Sequence, residues 1–146
     1  MTYRAILLAV IGLLPAFPAG EVKILAAEPN PVKRARLALT NGERTALKAG
    51  EACKVAEYEK CNKLLTEVQE SVELASKSLD ESRIDASRSP RHFKDAEVRT
   101  HKILRLVQPI RAYVHPDDQE HYNAVYQRIS AINDSFLKAV MGRRKK

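Results

Sequence analysis

The sequence predicts an all-α protein: an antiparallel up-down-up-down four-helix bundle that follows a cleaved signal peptide. Three observations predict it. The chain is poor in aromatics (5%, with no Trp) yet 45% hydrophobic and 29% charged, a mixture that favours helices over a β-sandwich. Apolar or small residues recur at alternating steps of three and four along four stretches of similar length, as one buried helix face requires. Asn30-Pro31, Ser89-Pro90 and His115-Pro116-Asp117-Asp118 punctuate those stretches as helix starts. With 146 residues the chain makes one domain with a real core.

The N-terminus reads as an export signal. Arg4 is the only charge in front of an apolar run from Ala5 to Leu14, which Pro15 breaks and small residues follow. A short charged region, an apolar core and a small-residue exit describe a secretory signal, and the run is shorter than the ~20 residues of a spanning helix. Cleavage is expected after Ala27, giving a signal over 1–27 and a domain over 28–146. A cut near Ala19 or Gly20 is the alternative, and an uncleaved anchor a further one. No transmembrane span is expected in the mature chain, which should be periplasmic or secreted.

The first helix is expected over 31–54, with Asn30 as its cap and Pro31 at the first position, where a missing N–H costs nothing. Its face is Val32, Ala35, Leu39, Gly42, Ala46, Ala49 and Cys53. That face is thin. Gly42 and Gly50 each cost roughly 1 kcal/mol against Ala, but small residues let a neighbouring helix come close. Beyond Cys53 the same steps land on Lys60, Lys63, Glu67 and Glu70, which cannot stay buried as a row. Restarting at Tyr58 restores an apolar face: Tyr58, Cys61, Leu65, Val68, Val72, Ala75 and Leu79. The break predicts a turn over 54–57 and a second helix over 58–83.

The third helix is expected over 90–114 on the face Phe93, Ala96, Thr100, Ile103, Val107, Ile110 and Val114, with Pro109 kinking it or ending it a turn early. The fourth is expected over 117–141 on Tyr122, Val125, Ile129, Ile132, Phe136 and Val140, with two acids in its first turn where the helix dipole favours them. Arg143, Arg144, Lys145 and Lys146 form a basic tail. Each helix of about 25 residues would be roughly 37 Å long.

The only two cysteines, Cys53 and Cys61, fall on facing helices if the chain turns between them. Export favours oxidation, so a disulfide is expected, two reduced buried cysteines being the alternative. On one continuous helix the pair would sit roughly 12 Å apart, too far to bridge.

The formal net charge is +7, and its excess lies in one place. Between Ser87 and Val114 there are seven basic residues and two acidic ones. On a helical wheel Arg91, Lys94, Lys102 and Arg105 fall within about 80° of one another, opposite the apolar face, flanked by Arg99 and His101. These four are the candidate anion-binding residues, against the plainer reading of a solvated helix face. The partner expected is an anionic envelope component or an acidic protein. Nucleic acid is not, because no aromatics interleave the cations. A homodimer through Leu37, Leu47 or Leu106 is a further possibility.

No catalytic, metal or haem site is expected, and no cofactor. The carboxylate-bridged di-metal pattern needs two Glu-x-x-His motifs, whereas this chain has a single Asp118-x-x-His121. No nucleophile elbow, Gly-rich phosphate loop or zinc-protease motif occurs. The alternative function, a small ligand or metal carried in the core, rests on the room that a thin first face would leave. The stretches NPVKRARLAL, SVELASKSL and SPRHFKDAE, with the MGRRKK end, resemble a family of small exported helical bacterial proteins of unknown function. That resemblance implies export and a helical fold, and carries no active residues.

Overall fold

The computed structural model describes residues 19–142, so the apolar run of the expected signal and the basic tail lie outside the described residues. The described chain is all-helical. A short α1, Ala19–Ala26, precedes four long helices: α2, Pro31–Lys54; α3, Tyr58–Glu81; α4, Arg91–Val107; and α5, Gln119–Met141.

Helix α2 begins as the sequence requires. Asn30 accepts a hydrogen bond from the Lys33 N–H at 3.1 Å, and Pro31 occupies the first turn. Its end is less conventional. The Glu57 N–H bonds to the Ala52 carbonyl and the Ala56 N–H to the Cys53 carbonyl, the paired pattern that closes a helix through a left-handed residue. That residue is Ala56, at φ 59°, where glycine is usual. The turn therefore falls between Lys54 and Tyr58 without a glycine to announce it. Cys53 and Cys61 are joined across it, with Cα atoms 5.2 Å apart.

The end of α3 and the starts of α4 and α5 differ from the sequence expectation by part of a turn, whereas α4 ends seven residues short of the expected 114. Helix α3 stops at Glu81 because Arg83 enters the left-handed region at φ 55°. Ser89 does not cap α4; its N–H bonds to the Asp85 carbonyl. Asp85 organises that link instead, accepting from the Ser87 N–H (2.8 Å) and hydroxyl (2.6 Å). Pro109 ends α4 at Val107, and the chain continues as a 3₁₀ segment, Gln108–Ala112. The Tyr122 hydroxyl shares its hydrogen between the carbonyls of Val107 (3.0 Å) and Gln108 (3.1 Å), satisfying groups that a helix end leaves open. A further 3₁₀ turn, Pro116–Asp118, leads into α5.

Residue pairs fix the directions. Arg34 meets Ser78 and Asn41 meets Ser71, so α2 and α3 are antiparallel. Arg99 reaches Thr40 and Glu43, and Ile103 lies beside Gly42 while Ile110 lies beside Gly50, so α4 rises with α2. His121 meets Thr66 and Arg128 meets Glu73, so α5 runs with α3. Two hairpins, α2/α3 and α4/α5, thus lie side by side, while α3 and α4 scarcely touch. The link over 82–90 consequently joins helices at opposite corners.

The core lies between the hairpins. All the face residues expected of the four helices are buried except Val32, Tyr58 and Val140, which are half-buried at helix ends. The thin face of α2 is filled at Gly42, where a Cβ would stand 3.0 Å from Ile103 Cδ1, while at Gly50 a Cβ would stand 3.8 Å from Ile110 Cγ1, an ordinary van der Waals distance. Of the leucines considered for dimer contact, Leu47 is exposed at 57%. Leu37 is half-buried, and Leu106 packs on the core.

The disulfide closes a loop of about nine residues, which stabilises by roughly 2.5 kcal/mol through the unfolded chain. Reduction should therefore lower the midpoint of thermal unfolding by several degrees, read by circular dichroism with and without reductant. An unchanged midpoint would show that the bridge contributes nothing.

Candidate functional site

A surface cleft of about 670 Å³ is lined by Arg36 of α2, by Pro90 just before α4, and by Arg91, His92, Lys94, Asp95 and Val98 of α4. It exists because α4 rests on α2, which brings Arg36 beside the first turns of α4. Its floor continues into an apolar seam formed by Val32, Ala35, Leu39, Leu79 and Ala96. Arg91 and Lys94 are exposed and His92 is half-buried. Among the described residues none of Arg36, Arg91, His92 and Lys94 forms an ion pair, and Asp95 is the only acid lining the cleft.

The four cations expected to form one stripe are therefore divided. Arg91 and Lys94 reach the cleft. Lys102 is held by Glu43 at 3.3 Å, beside Arg99, which donates to the same carboxylate at 3.0 Å and to Thr40 at 2.8 Å. Arg105 is exposed beyond that clasp and does not line the cleft. Arg36 was missed because it belongs to another helix. A wheel drawn for one helix cannot show what its neighbour adds.

A second polar feature was also missed. One step round from the core face of α2 lie Asn41 and Thr45, and opposite them on α3 lie Glu67 and Ser71, all buried at 4% exposure or less. The Asn41 amide donates to the Ser71 hydroxyl at 3.0 Å. Asn41 Oδ1 and Glu67 Oε1 are buried without a hydrogen-bond donor. Burial pushes the Glu67 carboxyl above its ordinary range; Glu21 and Glu70 add to the rise, while Asn41 and Lys48 oppose it. Helix α1 packs on α2 and α3, and its Glu21 pairs with Arg44 at 2.9 Å.

Among the described residues no group of histidines, cysteines and acids is arranged to hold a metal. His121 of the Asp118-x-x-His121 motif instead lies 3.1 Å from the Thr66 hydroxyl and 3.3 Å from the Asn62 carbonyl. No helix among the described residues is long and apolar enough to cross a membrane. The chain matches no protein-family model, no curated protein and no solved structure.

Because the folded state raises the Glu67 pKa, it binds more protons than the unfolded state between the ordinary carboxylate value of 4.5 and the raised one. Stability should therefore fall as pH rises through that window. Glu67→Gln should remove that slope and stabilise the protein at neutral pH. Parallel urea titrations of both proteins at pH 4.5 and 7.5 check this, and identical slopes would contradict it.

Proposed function

We propose that the protein is an exported, non-enzymatic four-helix bundle of the cell envelope, periplasmic or secreted, which docks an anionic envelope component or an acidic protein at the α2/α4 cleft. One observation carries the reading. Arg36, Arg91, His92 and Lys94 converge on a single cleft from two helices, and none is neutralised by an ion pair among the described residues. Exposed cations that are already paired offer little to a ligand, whereas unpaired ones grouped in a concavity focus their field on it.

Two features support export. The joined Cys53 and Cys61 suit an oxidising compartment. Ala26 and Ala27 sit exposed where α1 leads into α2, which leaves the expected cleavage point open to a peptidase. Removing residues 1–27 deletes the Glu21–Arg44 pair, in which both side chains are largely exposed; such pairs contribute about 0–1 kcal/mol. The four long helices keep their shared core.

The test is retention on vesicles with and without anionic phospholipid. Arg91→Glu with Lys94→Glu should abolish salt-sensitive retention on the anionic vesicles. Lys102→Glu, at a cation already held by Glu43, should weaken it far less. Equal losses would return the site to the whole α4 face, and undiminished retention in the double variant would overturn the reading.

A further inference from the structure

The seam on the outer side of the α2/α3 hairpin carries what a helix-docking site needs and lacks one thing. It is already covered by a helix, since α1 packs on both α2 and α3. Beyond α1 towards the turn the groove stays open as a cleft of about 490 Å³, lined by Lys48, Ala52, Val55, Leu64 and neighbouring residues, with Val55 66% exposed. What is missing is a donor: Asn41 Oδ1 and Glu67 Oε1 are buried and unmatched. A carboxylate in that position costs free energy until a cation or N–H reaches it. Helix α1 brings another acid, Glu21, which raises the Glu67 pKa further.

We infer that α1 is a temporary cover, and that once it is removed the seam pairs with the seam of a second copy of the chain. This rests on the reading of residues 1–27 as a cleaved signal. The walls of the seam are complementary in charge: α2 contributes Arg44 and Lys48, and α3 contributes Glu67 and Glu70. A two-fold axis parallel to the helices lays α2 of each copy over α3 of the other at the same level. The register set by Arg34 with Ser78 and Asn41 with Ser71 puts Arg44 level with Val68, next to Glu67. Arg44, freed from Glu21, is thus placed to reach the second copy's Glu67 carboxyl, whose Oε1 has no donor among the described residues. The other two-fold arrangement, with the axis across the hairpin, stacks α2 on α2 and opposes like charges. The cationic cleft, between α2 and α4, stays clear of the pairing.

The test compares the full-length chain expressed with and without export, each characterised by intact mass and light scattering. The exported protein should have lost residues 1–27 and be dimeric, and the unexported one should retain them and be monomeric. Arg44 is exposed and outside the core, so Arg44→Glu should fold, as circular dichroism will show, and should raise the dimer dissociation constant at least about tenfold. Lys138→Glu on α5 should leave it unchanged. A processed protein that is monomeric at every concentration overturns the pairing while leaving the signal intact. Retention of residues 1–27 after export overturns both, and a dimer indifferent to Arg44→Glu overturns the seam as its interface.

Discussion

The close approach of α4 to the small-residue face of α2 governs the rest of the structure. Gly42, Ala46, Ala49 and Gly50 leave almost no side-chain volume there, so Ile103 and Ile110 enter the space that larger residues would fill. Each glycine costs a helix about 1 kcal/mol. Burying an isoleucine contributes roughly 1.5–3 kcal/mol, which more than offsets it. Ile103 is completely buried and Ile110 nearly so. Space that sequence alone left open to a ligand is thereby occupied by the protein's own side chains.

The position of the charged groups follows. With α4 against α2 and opposite α3, Glu43 faces Arg99 and Lys102 and neutralises them. One turn or two nearer the start of both helices Asp95 is the only acid beside Arg36, Arg91 and Lys94, and the cleft keeps an excess of cations. On the far side of α2, the same small residues let α3 come close enough for Asn41 to reach Ser71. Helix α2 thus separates two polar surfaces: a cleft with more cations than acids and a seam in which Asn41 Oδ1 and Glu67 Oε1 are buried without a donor.

Much of this was legible in the sequence. Alternating steps of three and four located the buried face of every long helix, and the phase break after Cys53 located the first turn. What periodicity does not contain is which face meets which. It defines a stripe on each helix, and the choice of α2 over α3 as the support of α4 depends on Gly42 and Gly50 meeting Ile103 and Ile110. The Asn41-Gly42 pair, which looks like a break in a helix, is the centre of a contact instead. Ala56 hides the turn because it adopts a glycine's conformation. Glu67 belongs to the charged row Lys60, Lys63, Glu67 and Glu70 that periodicity keeps off a buried face, and no local pattern marks it as the buried exception.

The central claim is that the α2/α4 contact has no spare volume at Gly42, and Gly42→Leu tests it most directly. Overpacking of this kind costs about 1–3 kcal/mol, to which displacement of the fully buried Ile103 contributes. Chemical denaturation of the disulfide-intact protein should show a loss of that size. A variant as stable as the parent would show that the contact has room to give, and would contradict the account.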